Sequence, residues 1–197
     1  SQRGENLGAD SAYKATTIEA SGSLAVDAKR DITVRAGTVA AGGDASLAAG
    51  GNIKFDTVVD KRSSIAITAG DANPTVNTTA TEKNVGSTLT TGGNLQIRSG
   101  GDTTLAATKA DVGGNLNVDT GGDFNILSRQ DKTTTRTETQ SSGFGVGGGL
   151  WGSERKVVDD FTGTNVGSTL SVGGDADIKA SRTMTLRGSD LDIGGSG

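Results

Sequence analysis

Two adjacent stretches of this chain follow one plan, and that plan constrains the fold more than any other feature. TTGGNLQIRSGGDTTL, starting at Thr90, is followed 21 residues later by DVGGNLNVDTGGDFNI. The pairs Gly92-Gly93 and Gly100-Gly101 recur as Gly113-Gly114 and Gly121-Gly122, and Leu95/Ile97 recur as Leu116/Val118. A period of about 20 residues, with short alternating runs between glycine-rich corners, is the signature of a solenoid of strands.

Carrying this period along the chain sorts its apolar residues into three faces. The first reads Leu24/Val26, Ala45/Leu47, Leu95/Ile97, Leu116/Val118 and Ala176/Ile178. The second reads Ile32/Val34, Ile53/Phe55, Thr103/Leu105, Phe124/Ile126 and Met184/Leu186. The third reads Ile18/Ala20, Val39/Ala41, Leu89/Thr91, Ala110/Val112, Leu170/Val172 and Leu191/Ile193. All but Thr91 and Thr103 are apolar, while intervening residues such as Lys54, Gln96, Asp111 and Asn117 are polar. That alternation is the pattern of a half-buried strand. The spacing predicts an all-β chain, a right-handed parallel β-helix with three strands per coil of about 21 residues, since parallel crossovers are almost always right-handed.

Glycine pairs precede the first face at Gly42, Gly92, Gly113 and Gly173, and the second at Gly50, Gly100 and Gly121. They suggest corners at positive φ, each followed by an Asp or Asn able to form a local Asx turn. The first coil departs from this with Ser21-Gly22-Ser23 and Lys29-Arg30-Asp31, and the fifth with Ser181-Arg182-Thr183.

The period breaks twice at the same corner, between the second face and the third. Insertions of about 29 and 39 residues separate Phe55 from Leu89 and Ile126 from Leu170. Both end in NVGSTL, at residues 84–89 and 165–170. The expected organisation is a single segment, residues 1–197, with coils at about 18–58, 89–129 and 170–195 and inserted β-hairpins at about 59–87 and 128–168. Residues 1–17 are expected to be the tail of a preceding insertion. The first hairpin is expected to run out through VVDKRSSIAIT, turn near residues 70–74 and return through TVNTTATEK; Ile65 and Ile67 could alternatively belong to an irregular extra coil. The second runs out through DKTTTRTETQ and returns through ERKVVDDFTG, and both hairpins should stand off the body.

Composition narrows the chemistry. With no Cys and no His, the chain holds no disulfide, no Cys/His zinc site and no His-dependent catalysis. A net charge of −4 with scattered Lys and Arg offers no basic face, so nucleic acid is not an expected partner. No apolar run approaches the ~20 residues of a membrane-spanning helix. The chain starts at SQRGEN without a signal peptide, which reads as a fragment cut from something longer or as a cytosolic protein.

Three features could carry function. Asp31, Asn52, Asp102 and Asp123 form a column at the second corner, and Asp102 and Asp123 one coil apart could share a Ca²⁺; the calcium nonapeptide of β-rolls is absent, which favours Asx ladders. Asp159-Asp160 beside Arg155-Lys156 is the only dense charged cluster, readable as a carboxylate site of a polysaccharide-active β-helix enzyme or as a solvated hairpin stem. The chain is expected not to be an enzyme, and neither a cofactor nor a metal site is expected. The tip GFGVGGGLWG brings Phe144, Val146, Leu150 and Trp151 together on a glycine-loosened loop, as partner-contact residues or as groups that fold back onto the helix.

GGNLQIRSGGDTTLAAT and GGDASLAAGGNIKF resemble the haemagglutinin repeats of filamentous-haemagglutinin-like exoproteins. The segments ending in NVGSTL resemble the second repeat class of those proteins, contact-dependent growth inhibition exoproteins among them. The resemblance covers roughly residues 15–195. It implies a β-helical stalk segment of a large exoprotein, displayed on the Gram-negative cell surface and used in adhesion or toxin delivery. The partners it implies are an outer-membrane two-partner secretion transporter, an unidentified receptor on target or host cells and, through the 143–152 tip, a membrane. Absence of Cys fits that route, because a periplasmic disulfide would hinder threading through a narrow pore.

Overall fold

Alternating apolar residues in runs of four or five give short strands, and in the computed structural model these pair in parallel. The structure describes residues 4–11, 13, 15–68, 74–146 and 149–196, and no α-helix occurs among them. One parallel sheet orders β3 (Leu24–Ala28), β6 (Ala45–Ala49), β11 (Leu95–Ser99), β14 (Leu116–Thr120) and β19 (Ala176–Ala180). A second orders β4 (Ile32–Arg35), β7 (Ile53–Asp56), β12 (Thr103–Ala106), β15 (Phe124–Leu127) and β20 (Met184–Arg187). The third orders β2 (Thr17–Ala20), β5 (Thr38–Ala41), β10 (Ser87–Thr91), β13 (Thr108–Val112), β18 (Thr169–Val172) and β21 (Asp190–Ile193). The chain visits the three sheets in rotation, an all-β arrangement consistent with a β-helix.

The register is the one the 21-residue period dictates. Leu95 lies opposite Ala45 and Leu116, and Leu116 opposite Ala176. In the second sheet Thr103 lies between Ile53 and Phe124, and in the third Leu89 lies between Val39 and Ala110. Phe55, Phe124, Leu95, Ile97, Leu105 and Leu116 are fully buried, each contributing roughly 1.5–3 kcal/mol by leaving water. Among the described residues no further strand covers the outermost strands of the ladder, and Ile18, Met184 and Leu186 stand nearly half exposed. The buried hydroxyl of Thr103 is satisfied by Ser99 at 2.8 Å and Thr120 at 3.0 Å, and that of Thr91 by the Gly93 carbonyl at 3.1 Å.

The corner glycines have a different reason from the one expected. None of Gly42, Gly50, Gly92, Gly100, Gly113, Gly121 and Gly173 lies at positive φ. What excludes a side chain there is the neighbouring repeat: a Cβ on Gly92 would fall on the Gly42 carbonyl oxygen, and one on Gly93 would fall on Asp44 Oδ1. The first glycine of each pair thus admits the backbone of the adjacent repeat, and the second, from Gly51 onwards, admits its Asp or Asn. At Gly22, in the first repeat, a Cβ would meet only open space. Positive φ occurs instead at the third corner, at Ala36 and Ala107 (both 45°) and Gly188 (56°), where the chain turns without an insertion.

The two insertions also differ from two separate hairpins. Strands β1 (Gly4–Ser11), β8 (Val58–Thr68), β9 (Thr75–Val85), β16 (Arg129–Gly143) and β17 (Gly152–Val166) form one sheet in that order. Strand β1 runs antiparallel to β8, with Asp10 opposite Arg62, and β9 runs antiparallel to β16, with Glu82 opposite Lys132. The returning strand of the first insertion therefore pairs with the outgoing strand of the second. A two-stranded ribbon on its own would leave two open edges, and sharing them satisfies backbone groups that water would otherwise hold. Ile65 and Ile67 lie in β8 opposite Leu7 and Glu5, not in an extra coil. Of the expected turn of the first hairpin, near residues 70–74, residues 70–73 lie outside the described residues.

The chain divides into two compact units, one holding the three parallel sheets (Tyr13–Val58, Asn84–Gln130, Asn165–Gly197), the other the antiparallel sheet (Ser1–Ala12, Val59–Lys83, Asp131–Thr164).

Candidate functional site

The corner at which both insertions leave is a polar cluster built by strand ends. Asp56, closing β7, receives the Arg129 guanidinium, with Nη2 at 2.8 Å and Nε at 3.1 Å from Oδ1. Lys54 Nζ approaches its Oδ2 at 2.7 Å, and the Thr57 amide donates to it at 2.9 Å. Burial by itself would raise the Asp56 pKa; the Lys54 bond, the Thr57 amide and Arg129 together outweigh it and hold the carboxyl below its ordinary value. Asn84 completes the cluster, accepting from Thr57 Oγ1 at 2.9 Å and donating through Nδ2 to the Gln130 carbonyl at 2.8 Å.

The repeated string NVGSTL is explained by this corner. Ser87 and Ser168 are buried where the chain re-enters the parallel sheets. Ser87 Oγ donates to the Asp56 carbonyl at 2.9 Å, and Ser168 Oγ to the Leu127 carbonyl at 2.8 Å. Ser168 Oγ also accepts the Thr108 amide at 3.0 Å. Each serine stands in for backbone pairing that the insertion interrupts, and the glycine before it admits a neighbouring carbonyl, Ala107's beside Gly86 and Gly188's beside Gly167. Arg129 and both serines escape reading by residue type, but the duplication of the string marks them.

The Asp and Asn columns act between repeats, not in local Asx turns as expected. At the second corner Asn52, Asp102 and Asp123 each donate a backbone amide to the carboxylate or amide oxygen of the residue one step back, at 2.7, 2.7 and 2.9 Å. The first corner repeats this through Asp44, Asn94, Asn115 and Asp175. Arg182, which replaces the second glycine in the fifth repeat, reaches Asp102 at 2.6 Å and Asp123 at 3.5 Å. The Asp123 amide first, and then Arg182, hold the Asp102 carboxyl below its ordinary value. Both donors converge on its Oδ1.

The charged cluster on β17 faces partners on β16. Arg155 pairs with Glu138, and Asp159 lies 4.0 Å from Arg136. These are exposed cross-strand pairs of the kind that supports a ribbon.

The tip between β16 and β17 presents Phe144, Leu150 and Trp151 to solvent at 76, 81 and 78% exposure. Val146 is half-buried and approaches Gly143 through Cγ2. Gly145, at φ 81°, turns the chain where a side chain would be strained. Such exposure is unusual for three large apolar groups so close in sequence.

The profile of the hemagglutinin repeat family matches residues 1–70 and 67–158, most of the chain. No curated protein and no solved structure matches it. The matched region takes in the first insertion, most of the second and the repeats between them. The chain belongs to the hemagglutinin repeat family, whose members are secreted surface adhesins.

Proposed function

We propose that residues 1–197 form one structural and adhesive segment of a large secreted exoprotein, a right-handed β-helix with three strands per coil of about 21 residues that serves as part of a surface stalk. Its coils occupy about 18–58, 89–129 and 170–195, and residues 1–17 are the tail of a preceding insertion. The full-length chain leaves the Gram-negative cell through an outer-membrane two-partner secretion transporter, and the stalk serves adhesion to a cell or delivery of a toxin, without enzymatic activity of its own. Supporting this reading are the rotation of strands among three parallel sheets, the right-hand preference of parallel crossovers, and the family match.

The observation that carries the adhesive part is the exposed apolar tip. Phe144, Leu150 and Trp151, with Val146 in the same tip, contact a receptor or a membrane surface; aromatic groups of this kind supply much of the energy of protein contacts. The test is the variant with Phe144→Ser, Leu150→Ser and Trp151→Ser, assayed for binding to target cells and to lipid vesicles. The expected result is an unchanged melting temperature with binding reduced at least tenfold. Unchanged binding would make the segment a spacer.

A further inference from the structure

We propose that the open edge of β17 is a docking edge for one more strand of the β16 kind, the outgoing strand of a following insertion, so that a single antiparallel sheet runs on from insertion to insertion. The proposal rests on the reading of this chain as one segment of a longer exoprotein. Strand β17 ends its sheet, and its one neighbour among the described residues is β16. Its residues from Ser153 to Asn165 are all exposed, whereas β9, flanked on both sides, is mostly half-buried. A long strand with one open edge presents a row of unpaired N–H and C=O groups. Strand β9 is the returning strand of the first insertion as β17 is of the second, and β16 covers its corresponding edge.

Two joins between successive insertions are present, and they share one register. Strand β1 meets the outgoing strand β8 with Ser11 opposite Lys61, and the returning strand β9 meets the outgoing β16 with Glu82 opposite Lys132. Lys132 follows Lys61 by 71 residues, and Glu82 follows Ser11 by the same 71. The joins therefore fall at equivalent places. In β17 the place of Glu82 is taken by Gly163, each two residues before the asparagine of NVGSTL. The same register sets Gly163 opposite a residue in the place of Lys132, Thr162 opposite that of Thr133, and Asp159 opposite that of Arg136. Glu82 already stands between two cations, paired to Lys61 at 2.9 Å and opposite Lys132. Asp159 lies 4.0 Å from Arg136 of its own hairpin, and the docked strand supplies the second cation. Directly opposed side chains of an antiparallel pair lie ~5 Å apart, within reach of such a pairing. The occupant is thus a polar, threonine-rich strand with a basic residue facing Asp159.

The test extends the full chain by its own repeat, residues 1–196 followed by a second copy of residues 116–197. Ser196 donates its amide to Asp175 as Asn115 does to Asn94, so Leu116 of the second copy is the next residue in register. The second copy then presents its own β16 two coils after β17, the interval that separates β16 from β9. In hydrogen exchange, residues 154–164 of the first copy are expected to exchange at least tenfold more slowly than in the 197-residue chain. The chain has no Cys, so Thr162→Cys in the first copy with Thr133→Cys in the second should close a disulfide within one chain, because opposed Cα atoms lie ~4.5–5.5 Å apart. Val158→Cys with the same partner, roughly 13 Å out of register along the strand, should stay reduced. A folded extension in which residues 154–164 exchange as before overturns the proposal alone. Protection without the Thr162 to Thr133 disulfide means another strand or another register, and overturns it too. An extension that does not melt cooperatively overturns the stalk reading, and the proposal with it.

Discussion

Asp56 and Arg129 are 73 residues apart in sequence and 2.8 Å apart in space, and each stands where an insertion leaves the parallel sheets. The pair ties the two departure points to each other. The Asp56 carboxyl is held below its ordinary 3.8, so the unfolded chain binds its proton more readily than the folded one. Its contribution is therefore complete above that value and is lost as the pH falls through the lowered folded-state pKa. Asp56→Asn should destabilise the protein at neutral pH by about 1–3 kcal/mol, and the deficit should be smaller in acid, below the ordinary carboxylate value. Urea unfolding of both proteins at neutral and at acid pH measures this.

Leu116 and Asn117 are adjacent and face opposite ways. Leu116→Asp places an unpaired charge among Leu95, Val118 and their neighbours and should cost more than about 4 kcal/mol, enough to prevent cooperative folding. Asn117→Asp should stay within about 0.5 kcal/mol of wild type. Chemical denaturation reads both, and equal effects would contradict the register.

The two kinds of corner separate by substitution. Gly92→Ala drives a Cβ onto the Gly42 carbonyl and should cost about 1–3 kcal/mol or more, since backbone must move. Ala107→Gly, at φ 45°, should be nearly neutral, because relief of left-handed strain offsets the added flexibility of the unfolded chain. A large loss at Ala107 and none at Gly92 in thermal melts would reverse that assignment.

Ser168 Oγ accepts the Thr108 amide and shares its one proton between the Leu127 carbonyl at 2.8 Å and the Leu105 carbonyl at 3.1 Å. Ser168→Ala leaves buried backbone groups without a partner and should cost about 1–3 kcal/mol. Hydrogen exchange should show the loss at residues 105–108 and 127–130 first.

Calcium should have no effect. The Asp102 carboxylate is engaged by the Asp123 amide and Arg182, so melting in chelator and in millimolar Ca²⁺ should differ by less than about 2 °C. A larger rise would make Asp102 and Asp123 ligands.

The ladders were legible without coordinates because strand periodicity is 2 and repeat periodicity about 21, and burial demands that apolar residues satisfy both at once. Leu95 beside Leu116, and Phe55 beside Leu105, follow from counting. NVGSTL announced equivalent positions, though not what its serine does. Composition likewise showed an apolar tip at Phe144 and Trp151, but only the structure shows these side chains exposed.

What the tertiary structure alone decided was whatever depends on distance between repeats. Glycine at a corner signals either an unusual φ or a close approach, and the two readings look alike in sequence; the carbonyl of Gly42 beside Gly92 settles it for close approach. Aspartate after glycine signals a turn, yet Asp102 bonds the next repeat. Arg129 finds Asp56, and β16 finds β9, through pairings separated by dozens of residues. Backbone hydrogen-bonding groups are the same at every residue, so a polar strand carries no mark of which edge it will join. Alternation of side chains specifies burial, and that much is written locally; partner choice between polar edges is a property of the assembled chain.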